Sequence, residues 1–367
     1  MKQPSHKKHP RVPHLKSIVP PVPKRFQKVK GEERIQEAFE NIPRITNETV
    51  AEHREDVLSS ARKYKYPLAH SKHRIVVIST TLLIAAVIAF FIYCGLSLYK
   101  FQSSSAFMYR VTQVIPFPVA KAGKAYVAYE NYLFELRRYE HYYQTQQRVD
   151  FGSKSGQDQL ASYKPKALHE VIQNAYVKQL AAQNHVSVSG AELNGAMDAL
   201  RAQNHSGDQE LASVTNKFFG WSLSDLEREI KQELLAQKVA AKLDTATQAR
   251  AASVLKQLQS GADFGAMAAQ NSDDTATKGN GGQYADTAIT LASTDVPLQV
   301  VEALQRLQVG QISGVIQAGN TLEIVKLLAN DNGQMKAAHI SFNLTSIDTY
   351  VAAYQKTHPV HTYITVK

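Results

Sequence analysis

Ser260-Gly261-Ala262-Asp263-Phe264 is the stretch that decides how the second half of this sequence is interpreted. It lies between two short apolar helical patterns, and glycine at position 261 permits the left-handed backbone that ends the first of them. Further blocks follow along the chain, namely Asn271-Ser272-Asp273-Asp274, Gly281-Gly282, Gly310-Gln311-Ile312-Ser313 and the alternating run 322–326. Short helices, a glycine turn and alternating strands predict a small α+β domain over residues 245–330, with an antiparallel sheet.

This order of blocks resembles the parvulin-type, or PpiC-type, peptidyl-prolyl cis-trans isomerase domain. The resemblance implies catalysis of rotation about the peptide bond before proline, whose barrier is about 18–20 kcal/mol because of amide resonance. Such a reaction needs no metal or cofactor, and we expect none. In that family a Cys or Asp and two histidines surround an apolar pocket. Asp274 falls at the Cys/Asp position, and Glu323 falls where the closing strand carries a histidine.

A histidine further along the chain is a candidate for the other position. The opening strand of the family is absent before residue 251, but Lys336-Ala337-Ala338-His339-Ile340-Ser341-Phe342 resembles it. Asp331-Asn332-Gly333, just before this segment, is a strong hairpin signal. If the hairpin folds back beside residues 322–329, His339 reaches the vacant position. The alternative is an ordinary strand histidine that faces solvent or a neighbouring side chain.

The resemblance also suggests residues for an apolar proline pocket. The pocket Phe aligns near Val300, and the Met/Leu position aligns with Val296 or Leu298. Phe264 and Met267, from the short apolar face after residue 261, are further substrate-binding candidates. Asp274, His339 and Glu323 are the candidate catalytic residues. We expect residues 331–367 to form a strand, a helix and a strand that complete the sheet.

Residues 105–244 carry several helical signals. Apolar residues recur at spacings of three and four between Pro165 and Ala182, which predicts a helix with one buried face. Ser189-Gly190-Ala191-Glu192 is a capping-box pattern, and Ser224-Asp225-Leu226-Glu227 is a second one that predicts a helix running to Leu243. Before them, residues 111–127 are predicted to be extended, with a turn at 121–124, and a long helix is predicted from Tyr129 to Tyr143.

This arrangement is similar to the amino-terminal chaperone module of the SurA and PrsA foldase families, over residues 107–243. The resemblance implies an apolar cradle that holds unfolded polypeptide. Most of the apolar side chains are expected to form the core of the module. One aromatic group points in more directions than a single helix face can bury, and it is available for peptide contact or domain packing. Its members are Tyr126, Tyr129, Tyr132, Phe134, Tyr139, Tyr142 and Tyr143.

Residues 75–99 contain no charged side chain over 25 positions. At about 1.5 Å per residue, roughly 20 helical residues cross the hydrocarbon layer, so this run predicts a transmembrane helix. A buried core helix and a cleaved signal peptide are the alternatives, although the run is long and far from the amino terminus for both. Cys94, the only cysteine, lies inside it, so no internal disulfide forms, and we interpret it as a small apolar side chain.

Charge is concentrated before this run. Residues 1–74 hold 17 Lys and Arg against 8 Asp and Glu, whereas residues 75–367 hold 25 against 24. The positive-inside tendency places residues 1–71 in the cytoplasm and residues 100–367 outside the cell membrane. The first 23 residues contain six prolines and are expected to be disordered, and short helices are expected at residues 35–39 and from Thr46 to Ala61.

The basic tail suggests contact with anionic lipid headgroups, since each basic residue beside a span gains roughly 1 kcal/mol from them. No aromatic stacking platform accompanies the charge, so nucleic-acid binding is not expected.

The sequence therefore predicts a multi-domain membrane-anchored chain: one transmembrane helix, a mainly α-helical module and an α+β domain. The resemblances imply a bacterial foldase that isomerises prolines in unfolded, exported polypeptides. Two alternatives remain open: a holdase whose parvulin fold binds peptide without isomerising it, and a structural anchor of a membrane complex.

Overall fold

The computed structural model describes residues 45–65, 68–285, 288–290 and 292–366 of the chain. The predictions for residues 1–44 lie outside these residues. The chain divides into two compact units, Met1–Ala85 and Ala86–Lys367. In the first unit, helix α1 spans Asn47–Lys65, and the Thr49 N–H donates to the Thr46 hydroxyl oxygen at 3.3 Å. Thr46 is thus the predicted cap, and the helix runs four residues beyond the predicted end at Ala61.

The apolar run forms helix α2, Leu68–Gly95, which continues as a π-helical turn over Leu96–Lys100. The segment Arg74–Lys100 is long and apolar enough to cross a membrane by length and composition. Its last turns belong to the core of the second unit, because Cys94 and Leu98 are fully buried there. The Tyr99 hydroxyl also donates to the Pro118 carbonyl at 2.8 Å.

The helical module follows directly. Its elements are α3 Ala106–Val114, β1 Pro118–Ala122, β2 Ala125–Ala128, α4 Tyr129–Gln146, α5 Lys154–Gln183, α6 Gly190–Gln203, α7 Asp208–Phe219 and α8 Leu223–Leu243. Tyr129, Tyr132, Leu136, Leu168 and Tyr176 form the centre of its core. Much of the aromatic group is therefore core, since Tyr129, Tyr132 and Phe134 are buried, whereas Tyr126 is exposed.

Predictions made from local sequence patterns in this module were partly wrong. Residues 106–114 form a helix where an extended chain was expected from residue 111, and the Ser105 hydroxyl accepts from the Met108 N–H at its start. Helix α5 begins 11 residues before Pro165, at the Ser153 cap, and continues through the exposed proline despite the lost hydrogen bond and the steric clash that proline imposes. The Ser189 capping box forms as predicted, but Ser222, not Ser224, caps α8.

The second part of the unit is built on a small antiparallel sheet. Its elements are α9 Thr245–Gln259, α10 Phe264–Asn271, α11 Leu298–Gln305, β3 Ile316–Ala318, β4 Thr321–Asp331 and β5 Gln334–Asn343, with the strands in the order β3-β4-β5. One face of the sheet packs on α9 and α10 and the other on α11, so there are two separate apolar clusters. A mainly helical module beside a small antiparallel α+β domain confirms the predicted fold class.

The end of the chain does not stay with this sheet. Strand β5 joins it, but helix α12, Ile347–Thr357, packs on the helical module through Val351. Strand β6, Val360–Thr362, then pairs with β1 in the order β2-β1-β6. The expectation that residues 331–367 complete one sheet was therefore wrong for α12 and β6, because α12 buries Val351 in the core of the helical module and β6 pairs with β1.

Asp244, at the end of the helical module, is hydrogen-bonded both to the start of α9 and to the chain that follows β5. At the junction of α8 and α9, its carboxylate accepts hydrogen bonds from the Thr247 N–H at 3.0 Å, the Thr247 hydroxyl at 2.9 Å and the Thr345 N–H at 2.8 Å. Burial tends to raise the pKa of this carboxyl, but these hydrogen bonds outweigh it, and the pKa lies below its ordinary value.

We expect Asp244→Ala to lower the free energy of unfolding by about 2–3 kcal/mol at pH 7, because buried N–H groups lose their acceptor. Because the folded pKa is depressed, the unfolded chain binds the proton more readily. The difference should therefore be present above about pH 4 and shrink as the pH falls through the folded pKa. Urea unfolding across pH measures it. Asp263→Ala, which removes a cap with only the local Ala266 N–H as donor, should cost about 1 kcal/mol. Equal losses in the two variants would contradict the connecting role of Asp244.

Candidate functional site

The β4–β5 hairpin places His339 and Glu323 on the same face of the sheet. In the antiparallel register Val325 pairs with His339, which brings the ring beside a carboxylate two residues away on β4. The His339 Nδ1 atom lies 3.0 Å from Glu323 Oε2, and the two side chains are only 8% and 5% exposed. The Thr321 hydroxyl donates to the other Glu323 oxygen at 2.9 Å. Glu323 is thus a buried, fully hydrogen-bonded partner of the histidine.

The loop after α10 brings in the third residue. The Ser341 N–H donates to the Ser272 hydroxyl oxygen at 3.1 Å, and the Asp273 N–H donates to the Ser341 carbonyl at 2.8 Å. This attachment of the loop to β5 puts Asp274 Oδ2 3.0 Å from His339 Nε2. The structure therefore brings together Asp274, His339 and Glu323, which lie far apart in the sequence.

Asp274 is the most accessible of the three, with its side chain 28% exposed. Burial tends to raise the pKa of this carboxyl. The Thr277 hydroxyl, which donates to Oδ2 at 2.5 Å, the Ala276 N–H and the neighbouring His339 outweigh that effect, so the pKa lies below its ordinary value. The group is an ionised acceptor at neutral pH. Each His339 ring nitrogen faces a carboxylate oxygen at 3.0 Å.

Two residues of the site were not predicted from the sequence. The Thr277 hydroxyl lies 2.9 Å from His339 Nε2 as well as contacting Asp274. Tyr284 stacks on the imidazole, with ring centroids 4.2 Å apart and planes 24° from parallel. Burial, then the nearby Glu323, raises the pKa of Tyr284, so its phenol stays neutral. The available signals were the position of Thr277 one turn after Asp274 and that of Tyr284 just after the glycine pair.

Gly282 allows Tyr284 to take this position. Its φ is +78°, and a Cβ there would lie 2.2 Å from the His339 carbonyl oxygen. The His339 N–H donates to the Gly282 carbonyl at 2.8 Å, and the Tyr284 N–H donates to the Ala337 carbonyl at 3.1 Å. The chain after the glycine pair therefore runs against β5 on the side away from β4.

The predicted substrate residues are not all near this site. Val296 and Val300 are buried on the same face of the sheet as His339, in the cluster that contains Val325 and Ala337. Leu298 is partly exposed and lines a cavity shared with α6 and α8.

Phe264 and Met267 lie elsewhere. They are buried on the opposite face of the sheet, packed with Ile324, Ile340 and Phe342. Their assignment to the substrate pocket is corrected accordingly: in a two-sided sheet, residues that fill the back face cannot also contact a ligand at the front face.

Metal ligation is not suggested at this site. Among the residues that the structure describes, the one group of three side chains arranged as potential ligands is Glu135, Glu170 and Glu229, in the helical module. At the candidate site both carboxylates face the His339 ring instead: Glu323 Oε2 lies 3.0 Å from Nδ1, and Asp274 Oδ2 lies 3.0 Å from Nε2.

Comparison with known families agrees with this division of the chain. A family described as the SurA-like N-terminal domain matches residues 69–240, and one described as the PPIC-type PPIASE domain matches residues 232–329. The second match ends before β5, so His339 lies outside it.

Two curated relatives are similar in sequence. Chaperone SurA from Methylobacillus flagellatus is 29% identical over 194 residues, and Chaperone SurA from Thiobacillus denitrificans is 31% identical over 156 residues. The matches cover 51% and 42% of this chain, but only 39% and 30% of those relatives.

Two solved structures are also similar. Foldase protein PrsA from Streptococcus pneumoniae is 22% identical, with a TM-score of 0.19, over 55% of this chain and 81% of that one. Peptidylprolyl isomerase PrsA from Bacillus cereus is 16% identical, with a TM-score of 0.20, over 55% and 77%. The family matches and the curated relatives confirm the resemblance: the chain contains a SurA-like N-terminal domain and a parvulin-type domain.

We expect Gly282→Ala to lower the free energy of unfolding by roughly 3 kcal/mol or more, because the new methyl group meets the backbone of β5 at a positive φ. Gly281→Ala is the matched control. Its φ is +76°, but the nearest atom to the added Cβ is 3.4 Å away, so strain of about 1–2 kcal/mol is expected. Urea unfolding of the two variants, with tyrosine fluorescence as a second probe, measures the difference. Equal losses would show that the strand contact contributes nothing.

Proposed function

We propose that this chain, in which a SurA-like N-terminal domain is joined to a PPIC-type PPIase domain, is a membrane-anchored foldase that isomerises X-Pro bonds in unfolded polypeptides. The observation that carries the proposal is the contact of His339 with Asp274 on one side and Glu323 on the other. It supports a catalytic role for Asp274 and a positioning role for the other two polar residues of the predicted site. The family matches support the broader foldase or chaperone role.

The chemistry requires an electrostatic environment and not a nucleophile. Rotation about the X-Pro bond breaks amide resonance, and the uncatalysed exchange takes tens of seconds. Amide resonance places partial negative charge on the carbonyl oxygen, and this charge is lost when the bond twists. An ionised carboxylate beside that oxygen therefore favours the twisted amide over the planar one. Asp274 suits this role because it is ionised, partly exposed and fixed by Thr277 and His339.

In this proposal His339 and Glu323 are positioning residues. Both are nearly enclosed, so a peptide on the surface meets Asp274 and Thr277 before it meets the ring. Glu323 holds the ring through Nδ1 and leaves Nε2 directed at Asp274. Pre-organised dipoles of this kind stabilise a transition state without reorganising during the reaction.

A second candidate function is a holdase that binds peptide without isomerising it. Tyr284 covers one face of the His339 ring, and the apolar residues on that side of the sheet pack against one another. A proline ring therefore needs Tyr284 to move before it can approach the histidine. The holdase function is also favoured by Glu323, which occupies the position where the family has a histidine.

We also propose a membrane location with the amino terminus in the cytoplasm. One helix of suitable length and composition supports the anchor, and the excess of Lys and Arg before it supports the orientation. The substrates are then exported polypeptides on the outer side, and the basic tail contacts anionic lipid. Nucleic acid is not an expected partner.

The isomerase proposal predicts that the full chain in detergent accelerates the proline-limited refolding of a client protein and the cis-trans exchange of a short X-Pro peptide. Asp274→Ala should lower kcat/KM by about 100-fold, because it removes the charge beside the amide. His339→Gln should lower it less. Asp331→Asn, a carboxylate lost from the exposed hairpin turn, is the matched control and should leave the rate unchanged.

The outcomes separate the candidates. Wild-type protein that suppresses client aggregation but accelerates neither reaction is a holdase, and the isomerase proposal is then wrong. If Asp274→Ala keeps the wild-type rate, the function survives and the site assignment fails. Tyr284→Ala distinguishes further: a covering ring predicts that its removal increases kcat/KM for the short peptide.

A further inference from the structure

The helical module packs directly against the last turns of the proposed transmembrane helix. The rings of Phe91 and Phe117 lie 6.4 Å apart, centre to centre, and Cys94 and Leu98 are buried in the core of the module. After the helix ends at Lys100, the chain soon folds back as α3, Ala106–Val114. A membrane around the helix therefore also comes close to the module.

Phe91 lies at a depth where a bilayer surrounds the helix with hydrocarbon. Arg74 is the last charged residue before the apolar run, so the hydrocarbon layer begins no earlier than Ile75. A layer that takes about 20 helical residues then ends near Cys94, and a later start only moves Phe91 deeper. Because Phe117 contacts Phe91, the turn that carries Phe117 reaches the outer edge of the hydrocarbon layer.

This turn consists of Val114-Ile115-Pro116-Phe117, the 114–117 loop, and begins at the last residue of α3. The loop contains no charged or polar side chain. Val114 is 82% exposed, and Pro116 is exposed as well. Apolar side chains at such a position lose free energy in water and gain it in lipid, since the gain is proportional to the apolar area removed from water.

The backbone of the 114–117 loop makes hydrogen bonds within the protein, as insertion into lipid requires. The Ile115 N–H donates to the Val111 carbonyl at 2.8 Å, and the Phe117 N–H donates to the Ile115 carbonyl at 2.9 Å. Pro116 has no N–H, and the Phe117 carbonyl accepts from the Tyr129 N–H at 2.7 Å. The N–H groups that follow α3 in this loop therefore need no water.

The charges near the loop suit anionic headgroups. Residues 57–129 contain no Asp or Glu. Phe107, Arg110 and Val114 follow one another on α3 at spacings of three and four, and all three are exposed. They therefore share one face, with Arg110 one turn before Val114. A long cationic side chain beside an apolar surface extends its charged end to the lipid phosphates.

We propose that the 114–117 loop inserts into the outer leaflet of the bilayer beside the span, with Val114 and Phe117 among the acyl chains and Arg110 at the phosphates. The proposal rests on the membrane location proposed above and extends it, because the helical module then contacts the membrane at a second point. Unfolded clients are bound close to the membrane surface. A second copy of the chain is the alternative occupant, but it would have to cover the loop at the depth of Phe91.

The test uses the full chain in vesicles of equal parts phosphatidylcholine and phosphatidylglycerol. Cys94→Ala is the background, so that the environment-sensitive fluorophore NBD labels one new cysteine. In Val114→Cys, lipids with a nitroxide on the acyl chain should quench about half of the NBD fluorescence or more, because the probe lies in the apolar layer. Iodide in the water should quench little of it.

Val309→Cys is the matched control. Val309 is another exposed valine, but it lies in the small α+β domain, where the neighbouring Gly310 N–H donates to the Leu327 carbonyl on β4. Its probe should be quenched by iodide and not by the lipids. Pro116→Cys repeats the measurement within the loop should the labelled Val114→Cys protein fail to fold. Thermal unfolding by circular dichroism checks the fold of each variant.

Three results would overturn the proposal. They are iodide quenching as strong at residue 114 as at residue 309, equal lipid quenching at the two positions, or protection from both quenchers that disappears on dilution of the protein in lipid. The last result identifies a second copy as the occupant.

Failure of the loop is distinct from failure of the membrane location. A chain that floats with the vesicles in a sucrose gradient after a urea wash, but exposes residue 114 to iodide, keeps its span and lacks the inserted loop. A chain that does not float loses both. The isomerase rate on a short X-Pro peptide depends on Asp274 and should be unchanged in Val114→Cys, so the two proposed activities of the chain are tested separately.

Discussion

Strand β5 is the element on which the isomerase-like part of the structure depends, because it is hydrogen-bonded on both sides. On one side it pairs with β4 over its whole length, and on the other it bonds the chain that follows the glycine pair at 281–282. A central strand cannot be omitted without leaving two rows of buried backbone groups unsatisfied. The strand comes from the end of the domain in sequence, and yet it carries His339 into contact with Asp274 and Glu323. The same strand therefore completes the sheet and brings His339 into the site.

Sequence patterns predicted the features that depend on short-range chemistry. The Ser189 capping box, the helix from Tyr129 and the hairpin at 331–333 all arise from contacts within a few residues, and the structure contains each of them. The start of α5 was missed because proline was treated as a helix start, whereas Pro165 lies inside the 30-residue helix that Ser153 caps. The cap of α8 was displaced by two residues, since Ser222 and Ser224 both fit the pattern and only packing distinguishes them.

Features that depend on distant contacts were harder to predict. Phe264 and Met267 look like pocket residues in the sequence, but only the pairing of β4 with β5 decides which face of the sheet they meet. The strand with which β6 pairs could not be predicted from the alternation of apolar and polar residues, because alternation identifies a strand and not its partner. Tyr284 shows the same limit: its position follows the glycine pair, but its contact with His339 appears only when β5 lies beside it.

Buried carboxylates occur both around His339 and in the helical module, and in each place neighbouring side chains satisfy them. Around His339, Asp274 and Glu323 face the two nitrogens of one ring. The Thr277 hydroxyl donates to the same Asp274 oxygen, and the Thr321 hydroxyl donates to the other Glu323 oxygen. The polar side chains of this site are satisfied internally. In the helical module, Arg138 lies 2.7 Å from the buried Glu135, and Arg228 lies 2.7 Å from Glu130. Burial of an unpaired charge is unfavourable, and in both places the buried carboxylate has a hydrogen-bonding partner on a neighbouring side chain.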